Sequence, residues 1–494
     1  MSQQSRREFL ENSMFATAAA LGASQAMLPG ALFAEDKPAA GPNEVLRVGI
    51  IGVNGRGKDH VKGYLNNKAK CEIVAICDAD EAPGLRAVEM IKERTEKKPT
   101  FYQDMRKMFE NKDIDVISIA TPNHWHALAA IWAMQAGKDV YVEKPVSHNV
   151  SEGRRIVEFA RKLNKICQTG TQCRSMPGSR MAIEYIKAGK IGEVKLARGL
   201  CYKSRGPIGA RGHYEPPTSV DYDLWCGPAP KSELTRPRMH YDWHWVWETG
   251  NGDLGNQGIH QMDVARWGLG VNDIGNSVVS YGGRLGYTDA GDTANTQVSI
   301  HDYGDKTLVF EVRGLKTEKM MKAGKFEGAG VGVIFYGSDG YIVMDEYTHG
   351  VAFDPSGNVV KEFSGGADHY GNFLDAVKAK SASHLNADIL EGHLSSALCH
   401  LGNISLRSGD QLTVAEYKDR LSNMANKAEV LGTYERFTEH LKSNGLAPES
   451  TKIFAGLPLT IDPKAEVFTG EHATKVNPML TREYRAGFVV PAKA

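Results

Sequence analysis

The hydrophobic pattern of this chain changes character at residue 45. From there, short apolar runs alternate with stretches whose apolar residues recur every three to four positions. Residues 45–51, 71–77, 115–120, 140–142 and 166–169 read as buried strands. Between them, Val61, Tyr64 and Leu65, and then Met105, Met108 and Phe109, fall at helical spacing. Further helices are predicted from about residue 127 to a C-cap at Gly137, and over 151–163. This alternation predicts a parallel, doubly wound α/β sheet over residues 44–170. Past 170 the order changes. A helix over 177–188 and a strand over 194–202 open a second domain, taken as 171–410. Strand patterns follow at 293–301, 306–312, 331–335 and 341–344, then helices at 370–380 and 387–406. Residues 411–494 carry no readable motif and are taken as a C-terminal extension.

Candidate chemistry collects at the ends of the first strands. The first runs into Gly52-Val53-Asn54-Gly55-Arg56-Gly57 and a helix. A Gly-rich turn in that setting brings backbone N–H groups close to a pyrophosphate. Asn54 stands where the G-x-G-x-x-G pattern has its second Gly, and Asn tolerates positive φ. The second strand ends at Asp78, 21 residues past Gly57. An acid at that distance accepts hydrogen bonds from adenosine ribose hydroxyls and repels a 2′-phosphate, which favours NAD(H) over NADP(H). A plain helix N-cap is the other reading of Asp78. The strand over 115–120 ends in Thr121-Pro122-Asn123-His124-Trp125-His126. Val140-Tyr141-Val142 ends in Glu143-Lys144-Pro145, which reads either as a surface turn or as a corner at the cofactor crevice.

Two later stretches stand out. His240-Tyr241-Asp242-Trp243-His244-Trp245-Val246-Trp247 suits stacking on sugar rings, or equally an aromatic core cluster. Asn256, His260 and Asp263 fall on one face of a predicted helix whose start points at the site. His240, His244, His260 and Asp263 are the one metal-type grouping. Their spacing is unlike zinc or iron motifs, so no metal is expected. Residues 206–239, rich in Gly and Pro, read as a long ordered loop.

Composition narrows the classes. Lys plus Arg and Asp plus Glu each number 59, so the formal charge is zero and nothing favours nucleic acid or an anionic membrane. The seven Cys form no C-x-x-C pair. Ser5-Arg6-Arg7-Glu8-Phe9-Leu10 and the Ala-rich run to Ala34 resemble a twin-arginine export signal. Residues 1–34 are taken as that signal and 35–43 as a linker, giving a periplasmic or otherwise extracytoplasmic protein with no stable membrane insertion after cleavage.

The Gly-rich turn, Thr121-Pro122-Asn123 with His126, and above all Ala136-Gly137-Lys138 through Glu143-Lys144-Pro145 resemble the Gfo/Idh/MocA oxidoreductases over about residues 45–410. The resemblance implies a Rossmann domain and a C-terminal α/β domain with a large, open, mostly antiparallel sheet. It implies nicotinamide beside Lys144, a commonly cis peptide before Pro145, and a polar loop with Gln172 and Arg174 over the nicotinamide. It makes His260 the acid/base, with Asn256 where the family has Asp. Asn orients a hydroxyl but takes no proton, so Lys144 is the further acid/base candidate. Glu143 is placed with the cofactor-binding residues. Arg174, Trp243, His244, Asn256 and His260 are placed on the substrate, and His369 at the pocket wall. The expected reaction is NAD-dependent hydride transfer at a ring carbon of a sugar, sugar derivative or cyclitol. The alternative is a glycosidase with tightly bound NAD that oxidises C3 transiently. A lesser alternative is a sugar-binding protein without activity. A homo-oligomer, dimer or tetramer, is expected.

Overall fold

The computed structural model describes residues 44–321, 326–421 and 427–494. The export signal and linker read in residues 1–43 lie outside the described residues.

The first sheet holds β1 (Leu46–Ile51), β2 (Cys71–Cys77), β3 (Thr100–Tyr102), β4 (Val116–Ile119), β5 (Asp139–Val142) and β6 (Cys167–Thr169). All pairings are parallel and the order is β3-β2-β1-β4-β5-β6. β4 is buried at every position and β1 at all but one, because helices cover both faces. One of these helices, Asn123–Gln135, is apolar on nearly every face and almost wholly buried. It begins at Asn123, a turn earlier than its periodicity predicts, with Pro122 at its N-cap.

The second sheet is mixed and mostly antiparallel. It holds β7 (Val194–Tyr202), β8 (Ser277–Gly283), β9 (Thr296–Asp302), β10 (Thr307–Arg313), β11 (Val331–Gly337), β12 (Gly340–Met344), β13 (His349–Phe353) and β14 (Val359–Ser364). β7 and β10 form its parallel pair. Residues beyond 410 extend this sheet. β15 (Asp410–Thr413), β16 (Lys452–Ala455), β17 (Leu459–Asp462) and β18 (Val467–Thr469) add to it through β8. The C-terminal stretch is therefore built into the fold. Its tail also reaches back: Tyr484 Oη donates to Glu152 at 3.1 Å, and Phe488 meets the edge of Trp125 at 5.6 Å.

Helix Ile389–Ser408 is buried along most of its length. It packs on helices Val150–Lys162 and Gly258–Leu269 and on β8, so it ties the two sheets together. Among the described residues, no helix is long and apolar enough to cross a membrane. All seven cysteines are buried free thiols.

Candidate active site

The carboxyl ends of β1, β2, β4 and β5 open into a cleft of about 590 Å³, where an open α/β sheet binds its ligands. Gly52, Asn54, Gly55, Arg56, Asp78, Thr121, Pro122, Asn123, His126, Glu143 and Lys144 border it from the first sheet. Trp225, His240, Tyr241, Trp243, His244 and Asn256 border it from the second domain.

The Gly-rich turn is shaped by two close approaches. A Cβ on Gly57 would lie 1.8 Å from the Gly52 carbonyl oxygen, so only Gly lets the chain pass there. The positive φ of the turn falls on Gly52 (+81°), not on Asn54. Asn54 fits because its conformation is ordinary. Val53 N–H donates to Asp78 Oδ2 at 2.9 Å, which fixes the turn to β2. The N–H groups of Asn54, Gly55 and Arg56 have no partner among the described residues, and the following helix starts without a side-chain cap. Thr121 Oγ1 is buried and unpartnered. Free donors at a helix start, a turn a Cβ would fill and an orphaned hydroxyl fit a dinucleotide. Burial raises the Asp78 carboxyl to about 6, against the hydrogen bonds from Val53 and Asp80.

The Glu-Lys-Pro corner is the electrostatic centre. Glu143 Oε1 accepts from Arg56 Nε at 2.9 Å, His60 Nε2 at 3.1 Å and Gln172 Nε2 at 3.4 Å. Burial pushes this carboxyl up, but Arg56 and His60 outweigh burial and hold it well below the usual range. Gly170 has no room for a Cβ because the carboxylate lies 2.7 Å from that point. Lys144 is half-buried and donates to the Asn256 carbonyl at 2.7 Å. Burial lowers its ammonium, Glu143 pulls it back up, and it settles at about 8. The Lys144–Pro145 peptide is cis. His126 faces the Pro145 carbonyl at 2.6 Å and the Thr121 carbonyl at 2.8 Å, so its ring clamps the corner to the next loop.

The aromatic stretch divides between the two roles open to it. Trp243 and His244 stack at 3.5 Å on the cleft wall. Trp245 is core, beside Ile208 and Ala290. His244 Nδ1 faces the Tyr241 carbonyl. A carbonyl only accepts, so Nδ1 carries the proton and Nε2 is left as an acceptor. Burial lowers His244 to about 3, which keeps it neutral. Sequence reasoning missed Tyr241 as a wall residue. Its φ of +66° and ψ of −48°, with Asp242 N–H on the His240 carbonyl at 2.8 Å, make a strained γ-turn. Arg205 Nη1 donates to its hydroxyl at 3.2 Å.

Five residues predicted at the site lie elsewhere. Gly57 sits behind the turn. Gln172 acts through Glu143, with Tyr141 Oη its other contact at 3.2 Å. Arg174 is sealed into a bidentate pair with Asp263 at 2.8 and 2.9 Å and also meets Glu391, so it does not reach the cleft. His260 is buried beside Tyr347, its Nδ1 unpartnered, and does not border the cleft. The predicted common face of Asn256 and His260 is broken. One short helix ends at Asn256 and the next starts at Gly258. His369 is a packing residue held by Ser175 and the Thr169 carbonyl. The metal grouping disperses, since His240 binds Asp80 and Asp263 binds Arg174. Among the described residues, no cluster of three or more His, Cys, Asp or Glu is placed to hold a metal.

The Gfo/Idh/MocA oxidoreductase model for an NAD-binding Rossmann fold matches residues 46–171. Its companion for the C-terminal alpha/beta domain matches residues 210–438. The chain belongs to this family. Gfo/Idh/MocA membership makes the first sheet an NAD-binding Rossmann domain. The chain is similar to an alpha-N-acetylgalactosaminidase of Shewanella oneidensis, 33% identical over 202 residues. That match takes in 38% of this chain and 44% of the relative, less than half its length. The fold is shared with the WlbA dehydrogenase of Bordetella pertussis, solved with NADH and UDP-GlcNAcA (TM-score 0.53, 18% identity, 73% of this chain and 97% of that one). An oxidoreductase of Thermotoga maritima gives a TM-score of 0.55 at 16% identity, over 73% of this chain and 96% of that one.

Proposed function

We propose that this protein is an NAD-dependent oxidoreductase acting on a ring carbon of a sugar, sugar derivative or cyclitol. The observation that carries the reading is the position of Lys144, a cleft-facing amine of pKa about 8 between the Gly-rich turn and the Trp243–His244 wall. NAD, when bound, supplies the hydride acceptor or donor. The free N–H groups of Asn54, Gly55 and Arg56 bind its pyrophosphate, and Asp78 accepts from its ribose. Thr121, Pro122, Asn123 and His126 shape the floor. Lys144 Nζ holds or takes the proton at the substrate oxygen, and the Asn256 carbonyl keeps it in place. Trp243 and His244 present a flat face to the sugar ring. His260, behind the wall, serves the site through packing.

A second reading has its own support. Lys144, Tyr241 and His244 are three proton-handling groups on one cleft, more than a single hydride transfer uses. Together with the name of the Shewanella oneidensis relative, they favour glycoside cleavage through transient oxidation at C3 with tightly held NAD. Here His244 Nε2 takes a ring proton and Lys144 or Tyr241 protonates the leaving group. Incubating purified protein with free sugars and glycosides, with and without added NAD, separates the two. Net NADH from a free sugar supports the first. Released aglycone without net NADH supports the second. Absence of any bound or bindable NAD(H) sinks both.

Asp78→Ala is expected to weaken NAD binding by roughly 10- to 100-fold, the range for a charged hydrogen bond, and to relax discrimination against NADP. Unchanged NAD affinity in equilibrium titration would remove Asp78 from the cofactor site. Export and a dimeric or tetrameric state remain part of the proposal. Cell fractionation and sedimentation test them.

A further inference from the structure

A second cavity, of about 330 Å³, lies between the loop after the Glu-Lys-Pro corner, helix Ile389–Ser408 and the tail segment 478–482. Asn251 joins it to the cleft. Its Oδ1 accepts from Asn123 at 2.9 Å, and its Nδ2 donates to the His148 carbonyl at 3.1 Å. The tail wall, with Arg482, lies beyond both stretches matched by the family models.

Two arginines and two histidines line this cavity, with Glu248 as its one carboxylate among the described lining residues. The Arg407 side chain, at the rim, makes no ion pair or hydrogen bond with the described residues, feels the Asp292 carboxylate only at longer range, and lies with its guanidinium 4.9 Å over the Trp247 ring. Arg482 forms no ion pair with a described carboxylate. Its Nη1 donates to the Glu248 carbonyl at 2.9 Å and to His148 Nδ1 at 3.2 Å. An arginine only donates, so His148 Nδ1 is a bare acceptor and the proton sits on Nε2. That Nε2 is buried and unpartnered, with the Trp247 carbonyl close by but outside hydrogen-bond geometry. His400 likewise has a buried, unpartnered Nδ1. The nearby acids are engaged elsewhere. Glu248 takes the Ser232 hydroxyl, Asp292 takes Trp247 N–H, and Glu152 takes His148 N–H, Asn149 and Tyr484. Two guanidinium groups, neither ion-paired with a described carboxylate, and a buried N–H therefore face a polar hollow, with Asp292, Glu152 and Glu248 near enough to balance their charge only in part.

We propose that this cavity binds an oxyanion carried on a small polar molecule, a phosphate ester or a carboxylate, gripped by Arg407, Arg482 and His148 Nε2. The volume sits at the low end for small-molecule sites and exceeds what a bare ion needs. Arg407 is set in advance by its stack on Trp247, and its planar fork suits carboxylate and phosphate oxygens. Occupancy pins the tail to the loop after the corner and, through Asn251, to the cleft wall.

The test is calorimetric titration of the full chain with orthophosphate, glucose 6-phosphate and galacturonate. Saturable binding of the sugar phosphate or the uronate is expected, and the arm that binds names the source of the oxyanion. Arg407→Gln should weaken it by about tenfold or more, as for a hydrogen bond to a charged group, with NAD affinity unchanged because Arg407 does not border the cleft. Arg482 anchors the tail, so Arg407→Gln is the primary variant, and its thermal melt should match the wild type. No saturable binding by any of the three anions overturns the proposal. So does binding of orthophosphate alone, which marks an adventitious ion. Equal affinity of Arg407→Gln and wild type also overturns it, since it places the anion elsewhere.

Discussion

Lys144→Met is expected to lower turnover by roughly 10²- to 10³-fold, the usual cost of losing one group that stabilises developing charge. Met keeps much of the stem volume and removes the charge and the donors. NAD affinity should change far less. The donors for the pyrophosphate lie on the Gly-rich turn and the acceptor for the ribose is Asp78, and neither touches Lys144. The pH profile gives an independent sign. Burial holds the Lys144 ammonium at about 8. In the oxidation direction Lys144 acts as a neutral amine, so the rate rises as pH increases through about 8. In the reduction direction it acts as an ammonium, so the rate falls over the same window. Both inflections should vanish in Lys144→Met. Loss of NAD binding with turnover of the residual complex intact would make the corner structural, and the cleft would need another centre.

The parts of this site legible in the sequence are those whose geometry is local. Gly52 through Gly57 close a turn within six residues, and a strand followed by Glu143-Lys144-Pro145 delivers its Lys to the sheet edge whatever the rest of the chain does. Arg174 was illegible for the opposite reason. Its partner Asp263 is 89 residues away, and a buried carboxylate outbids a cleft for a guanidinium. The break between Asn256 and Gly258 is also tertiary. A Cβ on Gly258 would lie 3.0 Å from the Phe310 ring of β10, so the second helix starts where the sheet lets it. Helix Asn123–Gln135 hid its first turn because a helix buried on all sides has no polar face to mark its phase. β15 to β18 are three or four residues each, too short for periodicity to show. β16 and β17 pair with β8, and β15 and β18 pair with them in turn, so the sheet supplies what the local sequence lacks.

That dependence leads to the largest stability effect expected in the molecule. Glu311, on β10, is almost fully buried and sits among three arginines. Arg198 of β7 pairs with it, Arg313 meets it at 2.9 Å, and Arg436, from the helix Lys427–Ser443, meets it at 3.3 Å. Tyr202 Oη donates to it at 2.7 Å. Arg198 also pairs with Glu429 of that helix. Burial pushes the Glu311 carboxyl up, but the three guanidinium groups overcome it and hold it at about 2. Glu311→Ala leaves Arg198, itself almost fully buried, with only Glu429 at the partly exposed edge. Removing one partner of a buried pair costs about 3–5 kcal/mol, and this change should loosen the C-terminal helix from the sheet first. Denaturant unfolding read from near-ultraviolet dichroism measures it. A loss under 1 kcal/mol, the scale of a surface pair, would show that the cluster contributes no more than surface charge. The pH dependence has a definite sign. The folded pKa lies below the ordinary value of 4.5, so the contribution of Glu311 is complete above that pH and is lost as pH falls toward 2. The stability of Glu311→Ala should therefore fall less steeply than the wild type over that window, and equal slopes would assign the acid sensitivity to other carboxylates.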